Sequence, residues 1–436
     1  MHFQDNLHHS RFSKKIFLFF FFIVLLEGAI RKWLLPDSAF VIVGIRDFIV
    51  FFCIYYGFNN KIFNFNNKFE KITLLWTLLV AIWTLIQFTF FTNLPIQIAL
   101  IGIRNWALYL WLSLFFYKTL DIQDLRFIIK IILLTILPLS ILSVTQHFLP
   151  VDHVLNKQAD EGYIYQVIEG IVRTTGTFSF TSGYSYYLMF ICPLIYILVL
   201  GEEIKDIKFI TIIAIVLAFL LAVTTSGSRL TISFSVVMLI PLILSLITKR
   251  QNKYRILLII LLSFLSIYIV NNFFLIAVDA TTQRFLLAGA NQTMLERVLE
   301  SNLGTKESWL SLSVIGEGIG KGSNPARIYL SFYEDFIFGE TETQKILKEG
   351  GILGLIFVFV KFVFLFFLIK AYQIKKITKS SLPFIYWFYI VLNFSLVSYT
   401  SQITAHAFSY LALSIGLILL RKKYSSEPSI ETKNYI

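Results

Sequence analysis

The feature that most constrains this chain is a run of about 20 apolar residues, repeated again and again along it. Such runs fall at 16–35, 38–58, 72–91, 96–116, 127–149, 182–200, 208–224, 230–248, 256–277, 350–370, 383–399 and 402–420. Each matches the roughly 20 helical residues needed to cross a hydrocarbon core of about 30 Å. A spanning segment must satisfy its backbone internally, so the expected fold is all-α: a polytopic membrane protein of about twelve transmembrane helices. Only 15% of the residues are charged, against about a quarter in a soluble domain, which excludes a water-soluble enzyme and a disordered chain alike. The run at 16–35 follows Arg11, Lys14 and Lys15, as a signal peptide would. Instead of a small-residue cleavage site it meets Arg31-Lys32-Trp33 and then a second apolar run, so an uncleaved first span is expected.

Basic residues set the orientation. With the N-terminus inside, the inner segments hold Lys61/Lys68/Lys71, Lys118/Arg126/Lys130, Lys205/Lys208, Lys249/Arg250/Lys253/Arg255, Lys370/Lys375/Lys376/Lys379 and Arg421/Lys422/Lys423. The outer hairpins at 92–95 and 400–401 hold none. This asymmetry places both termini in the cytoplasm. It also accounts for most of the net charge of +12, as topology and attraction to anionic membrane lipid rather than nucleic-acid binding. The expected organisation is transmembrane helices 1–9 over 1–277, a large outer loop at 278–349, helices 10–12 over 350–420 and a cytoplasmic tail at 421–436. Within the loop, 293–300 reads as an amphipathic helix. Cys53 and Cys192 lie in apolar runs, and no Cys/His spacing suits a metal.

The informative residues are cations in the outer half. Arg31 and Lys32 end the first span. Arg46-Asp47 and Arg104 lie within the second and fourth, each about eight residues or roughly 12 Å below the outer end. Arg173 closes the first outer loop, Arg229 follows a turn between spans, and Arg284 and Arg327 belong to the long loop. A membrane-embedded Arg costs at least about 2.5–3.5 kcal/mol on insertion scales, so each needs a partner. One reading is structural: Asp47 neutralises Arg104 while Arg46 snorkels to the outer interface. The other is that the cations share an anionic ligand. Lys361 is expected to snorkel toward the cytoplasmic end of its span, and Trp33, Trp76, Trp83, Trp106 and Trp111 to form an interfacial belt, with Trp309 open to sugar stacking. His147, His153 and His406 are expected at interfaces or in the core.

Four motifs occur in order: Arg173-Thr-Thr-Gly-Thr-Phe178 before the Tyr-rich start of a span, Thr225-Ser-Gly-Ser-Arg229 at an outer boundary, Gly316-Glu-Gly-Ile-Gly-Lys-Gly-Ser323 in the long loop, and Glu349-Gly-Gly-Ile-Leu-Gly354 opening the tenth span. The set resembles the bacterial O-antigen ligase/polymerase superfamily, over roughly 170–370 by motif and over the whole chain by span count. The glycine stretch misses the phosphate-loop pattern, because Gly322 follows Lys321; a flexible turn shaping the cap is expected.

The resemblance implies a C-type glycosyltransferase-like architecture in the bacterial cytoplasmic (inner) membrane. It implies metal-independent transfer of a polyprenyl-diphosphate-linked oligosaccharide to a glycan acceptor at the outer face, with no cofactor; a polysaccharide chain-length regulator is a candidate partner. Guanidinium forks suit diphosphate oxygens, which makes Arg173 and Arg229 the first candidates, supported by Arg46, Arg104, Arg284 and Arg327. Family members carry a loop His about nine residues before the motif Glu. Here that position is Glu340, the expected general base, and the departure favours polymerase over ligase. The rival class is a transporter or flippase of lipid-linked sugars, in which charges should continue into the inner half.

Overall fold

Several helices begin where the sequence supplies a cap or a proline. Asp121 accepts the N–H of Asp124 at the start of one helix, Thr341 accepts that of Gln344 at another, and Pro95 precedes a third. A computed structural model describes residues 2–90, 94–159, 164–168, 170–201, 207–248, scattered positions within 268–286, 294–330, 336–339, 341–363, 382–396 and 402–425. In chain order the helices are α1 (His2–Ala29), α2 (Ala39–Asn59), α3 (Lys68–Phe90), α4 (Ile96–Ile103), α5 (Tyr109–Thr119), α6 (Ile122–Leu134), α7 (Ile136–Phe148), α8 (Thr181–Leu200), α9 (Phe209–Thr225), α10 (Arg229–Val237) and α11 (Leu239–Thr248). They continue with α12 (Met294–Leu303), α13 (Lys306–Leu310), α14 (Glu342–Gly350), α15 (Ile352–Val363), α16 (Leu382–Leu396) and α17 (Ile403–Ser425). The described residues hold one sheet, an antiparallel pair of β1 (Gln166–Ile168) and β2 (Ile171–Val172).

Six described helices are long and apolar enough to cross a membrane: 41–59, 68–90, 96–119, 122–148, 181–200 and 229–246. Four shorter apolar helices, at 209–225, 352–363, 384–395 and 403–419, fall on further expected runs. The run at 16–35 lies in α1 and a π-helical turn, Ile30–Leu34; Lys14, Lys15 and Glu27 bound its apolar part. Nearly all of the expected ninth span, 256–277, lies outside the described residues, as do the ends of the tenth and eleventh. The expected amphipathic helix at 293–300 is α12, packed on α14 and α16.

The core forms around α8, buried along nearly all its length against α9, α10, α16 and α17. Phe21, Phe178, Tyr187, Phe190 and Phe408 meet there in edge-on, tilted and stacked ring contacts. In contrast, Val41, Phe48 and Tyr55 of α2 and Ile72, Leu75, Ile82 and Leu85 of α3 turn outward, as a lipid-facing surface requires. Several expectations for single residues are corrected by packing. Trp106 and Trp111 are buried, so they belong to the core and not to an interfacial belt. Lys361 does not reach for the cytoplasmic end: it is buried, and its Nζ donates to Thr343 Oγ1 of α14 at 3.2 Å. The glycine stretch 316–323 is no loose turn, since Gly316, Gly318, Ile319, Gly320, Gly322 and Ser323 are buried. Trp309 is half-exposed, and its indole N–H donates to Leu303 O at 2.7 Å, closing the corner between α12 and α13. His406 is a core residue wedged between Tyr109 and Tyr410.

Candidate functional site

The apolar helical stretch 96–119 is where the backbone departs most usefully from a regular helix. Between α4 and α5, Arg104–Leu108 form a π-helical turn, a widening that is frequent at functional sites because it re-aims side chains. Below it α2 packs along α5, whereas its contact with α4 above is slight, so the two elements diverge above Arg104. The other π-helical turn, Ile30–Leu34, carries Arg31 and Lys32. Both of these widened turns therefore bear cations.

A cavity of about 990 Å³ occupies the wedge. Its walls come from one end of the bundle: the last turns of α1, the first half of α2, α4, the start of α8, the short 3-10 turn Asn324–Ile328 and the first residues of α17. Arg31, Arg104 and Arg327 line it together with Glu27 and Asp47, while Val43, Phe51, Leu100, Ile101 and Leu108 form an apolar side. Asp47 accepts from the Tyr109 hydroxyl at 3.0 Å and pairs with Arg104 Nη1 at 3.3 Å. Arg104 Nε also donates to Asn105 Oδ1 at 3.0 Å. Arg31 Nη1 donates to Ser179 Oγ at 3.3 Å and lies 3.7 Å from Glu27, one helical turn earlier. Arg327 stacks on Phe336, its guanidinium carbon 4.5 Å from the ring centroid; stacking uses the face of a guanidinium and leaves its in-plane donors for other partners.

The start of α8 adds a further positive element. Phe180 precedes it in extended conformation without a side-chain cap, and Ser179, Thr181 and Ser182 line the wall at this helix N-terminus, where the helix dipole favours an anion. Lys32 holds this segment in place from behind. It is buried, donating to Thr175 Oγ1 at 2.8 Å and Gly176 O at 2.7 Å, and Gln146 accepts the N–H groups of Thr175 and Gly176. The Arg173–Phe178 motif is thus built chiefly as a scaffold.

The expected arginines separate into groups. Arg104 and Arg327 reach one cavity. Arg46 is not on its wall and does not snorkel: it is fully buried, with Nη1 2.9 Å from Glu27 Oε2 behind the cavity. The Asp47–Arg104 pairing expected on structural grounds is present. Arg173 and Arg229 are not among the lining residues. They flank a neighbouring feature, the turn between α9 and α10, where the Ser228 hydroxyl caps α10 by accepting the Thr231 N–H. Gly227 has φ of +58°, and a Cβ there would fall 2.4 Å from Val167 and 3.5 Å from the Arg173 stem, so only glycine lets the hairpin pack on the turn. The backbone N–H of Arg173 donates to the carbonyl of Tyr165, which lines the cavity, at 2.9 Å. Arg284 and Glu340 lie outside the described residues.

Residues missing from the sequence-based site are Arg31, Glu27, Asp47 and the polar start of α8. Glu27 had a readable signal: an acid within an apolar run, four residues before Arg31, on one helix face. No group of His, Cys, Asp and Glu among the described residues is arranged to hold a metal ion. Fold and site together define a helical protein with membrane-type apolar helices and a cation-lined, half-apolar cavity at one end of the bundle. No family model, curated protein or solved structure matches the chain.

Proposed function

We propose that this protein is a polytopic enzyme of the bacterial cytoplasmic membrane, with about twelve spans in a C-type glycosyltransferase-like arrangement. It moves an oligosaccharide from polyprenyl diphosphate to a growing glycan at the outer face, as a polymerase in preference to a ligase. The observation that carries this reading is the cavity, where Arg31, Arg104 and Arg327 face an apolar wall. A ligand with a doubly charged head and a hydrocarbon tail fits that division. Guanidiniums stay charged at any working pH and match phosphate oxygens in pairs.

In the proposed reaction the acceptor hydroxyl oxygen bonds to the anomeric carbon of the donor sugar, and the bond from that carbon to the diphosphate oxygen breaks. The diphosphate leaves with the electron pair, and the cations at the wall stabilise the charge as it grows. The hydroxyl proton passes to a carboxylate: Glu340 by its place in the sequence, or Asp47 among the described wall residues. A flippase has to offer charge at both faces. Against that rival, Lys14 and Lys118 at the opposite end are tied to Asp124 and Glu70.

The decisive experiment is glycan profiling of a deletion strain, complemented with wild type, Arg104→Gln or Arg327→Gln. Short single-unit products in the deletion and in both variants, at wild-type protein level, are the expected result. Lipid-linked long chains would instead indicate ligation. Unchanged glycans in the deletion strain would remove the reading altogether.

A further inference from the structure

Two cation-bearing features of the cavity, the π-helical turn with Arg104 and the 3-10 turn with Arg327, come from segments more than 200 residues apart. Something has to hold them at a constant separation, and among the described residues one carboxylate hydrogen-bonds to the supports of both. Glu349, next to last in α14, is buried and does not line the cavity. Its Oε1 accepts the N–H of Gly322 at 2.7 Å, and its Oε2 accepts the N–H of Gly320 at 3.2 Å and the indole N–H of Trp106 at 3.1 Å. Trp106 lies two residues after Arg104 within the same π-helical turn. Gly322 lies five residues before Arg327.

We propose that Glu349 is a positioning residue: its carboxylate ties the turn bearing Arg104 to the loop bearing Arg327 and so sets the separation of the two cations across the cavity.

The surrounding packing has the form such a tie requires. A Cβ on Gly320 would fall 2.5 Å from the carbonyl of Ile98, and one on Gly102 would fall 2.5 Å from that of Ile319. The glycine loop therefore lies backbone to backbone on α4, just before Arg104. Gln87 of α3 makes a second, neutral tie. Its Nε2 donates to Ile315 O and Glu349 O, both at 2.7 Å, and its Oε1 accepts the Ile319 N–H at 2.8 Å. Trp76 fixes the π-helical turn from the far side, donating to Trp106 O at 2.7 Å.

The electrostatics separate this carboxylate from an ordinary ion pair. Among the described residues no Lys or Arg lies within ion-pair distance of it. The groups facing it are the three N–H donors and neutral Gln87. The charged group acting on it is Glu342, two turns earlier on α14, and the stem of Lys345 lies beside Gly322. Burial pushes the Glu349 carboxyl up to about 7, although the three donors work in the opposite direction. Protonation replaces an acceptor by an O–H donor facing N–H donors, which loosens the tie on the acid side of neutrality.

The test measures separation and grip independently, because only the second depends on the diphosphate reading. Spin labels at Ile96→Cys on α4 and Asn324→Cys in the 3-10 turn, in the full chain, report the distance by pulsed electron resonance. Wild type should give one narrow distribution at about pH 8 and a broader one near pH 6; Glu349→Gln should be broad at both. In unlabelled protein, farnesyl diphosphate serves as the probe, and Glu349→Gln should weaken its binding by about tenfold. Trp106→Phe removes one donor and keeps the ring. It should broaden the distribution to a lesser degree, and it decides the matter alone if Glu349→Gln does not fold. Distributions in the variants identical to wild type overturn the proposal, whatever the probe does. Altered distributions with no binding of farnesyl diphosphate to wild type leave the tie standing and reject the diphosphate reading instead.

Discussion

At the end of the bundle opposite the cavity, Lys14 lies 2.8 Å from Asp124 and Lys118 lies 2.8 Å from Glu70. Both carboxylates are also satisfied locally, Asp124 by the Ser10 hydroxyl and Glu70 by the Asn67 N–H, and both lysines retain partial contact with solvent. At the cavity end the balance differs. Among the described residues there, Arg31, Arg46, Arg104 and Arg327 stand against Glu27 and Asp47, four guanidiniums to two carboxylates. The buried acids of the first end are each matched by a lysine, while Lys61, Lys68 and Lys71 there stand exposed to water, an arrangement that serves stability alone. Among the described residues of the second end, Arg46 and Arg104 are buried against their acids while Arg327 stands exposed beside the cavity, and cations in excess of the neighbouring acids mark a place for an anion.

That contrast can be broken most directly at its largest effect. Arg104→Gln or Arg327→Gln should lower glycan transfer by at least about a hundredfold, whereas Lys14→Gln at the opposite end should leave it within about twofold. Equal losses at the two ends, measured with donor in reconstituted vesicles, would erase the distinction. The neighbouring turn offers the next test. Arg173→Lys or Arg229→Lys should abolish chain growth at unchanged protein level, because a point charge does not replace a planar fork. Normal glycan length in both variants would confine the site to the cavity.

Stability changes sharpen the same comparison. Arg46→Leu leaves Glu27 buried without its closest cation and should cost about 3–5 kcal/mol, with much of it recovered in Arg46→Leu/Glu27→Leu. Lys118→Met, at the matched end, should cost only about 1–3 kcal/mol by the same thermal unfolding assay. The smallest expected effect is one of pH. Since the folded protein holds the Glu349 proton up to about 7, above the ordinary carboxylate range, this group's stabilising contribution is complete below that range. It is lost as pH rises through about 7, by at most about 3 kcal/mol. A melting temperature that falls over this window in wild type, and falls less in Glu349→Gln, is the expected pattern.

Much of the molecule was legible residue by residue. The apolar runs located the helices, because length and hydropathy are local properties. Arg104 and Arg327 stood out because a cation in or near a span needs an explanation. The Asp47–Arg104 pairing followed from their similar depth. What escaped reading were contacts between segments far apart in the chain. Nothing local indicates that Lys32 turns inward to Thr175, or that Lys361 points to Thr343 and away from the cytoplasmic end, since both lysines would snorkel if their helices stood alone. Trp106 has the spacing of an interfacial aromatic, and only its packing against Trp76, Phe357 and Glu349 makes it a core residue.

The chain's own order of residues determined a helical architecture with long apolar helices and singled out the cations set within them, since burial energies of single side chains act without regard to neighbours. Tertiary structure alone decided which arginines share a cavity. The π-helical turns re-aim Arg31 and Arg104, and the glycine loop carries Arg327 across to them, so their meeting depends on packing between segments more than 200 residues apart.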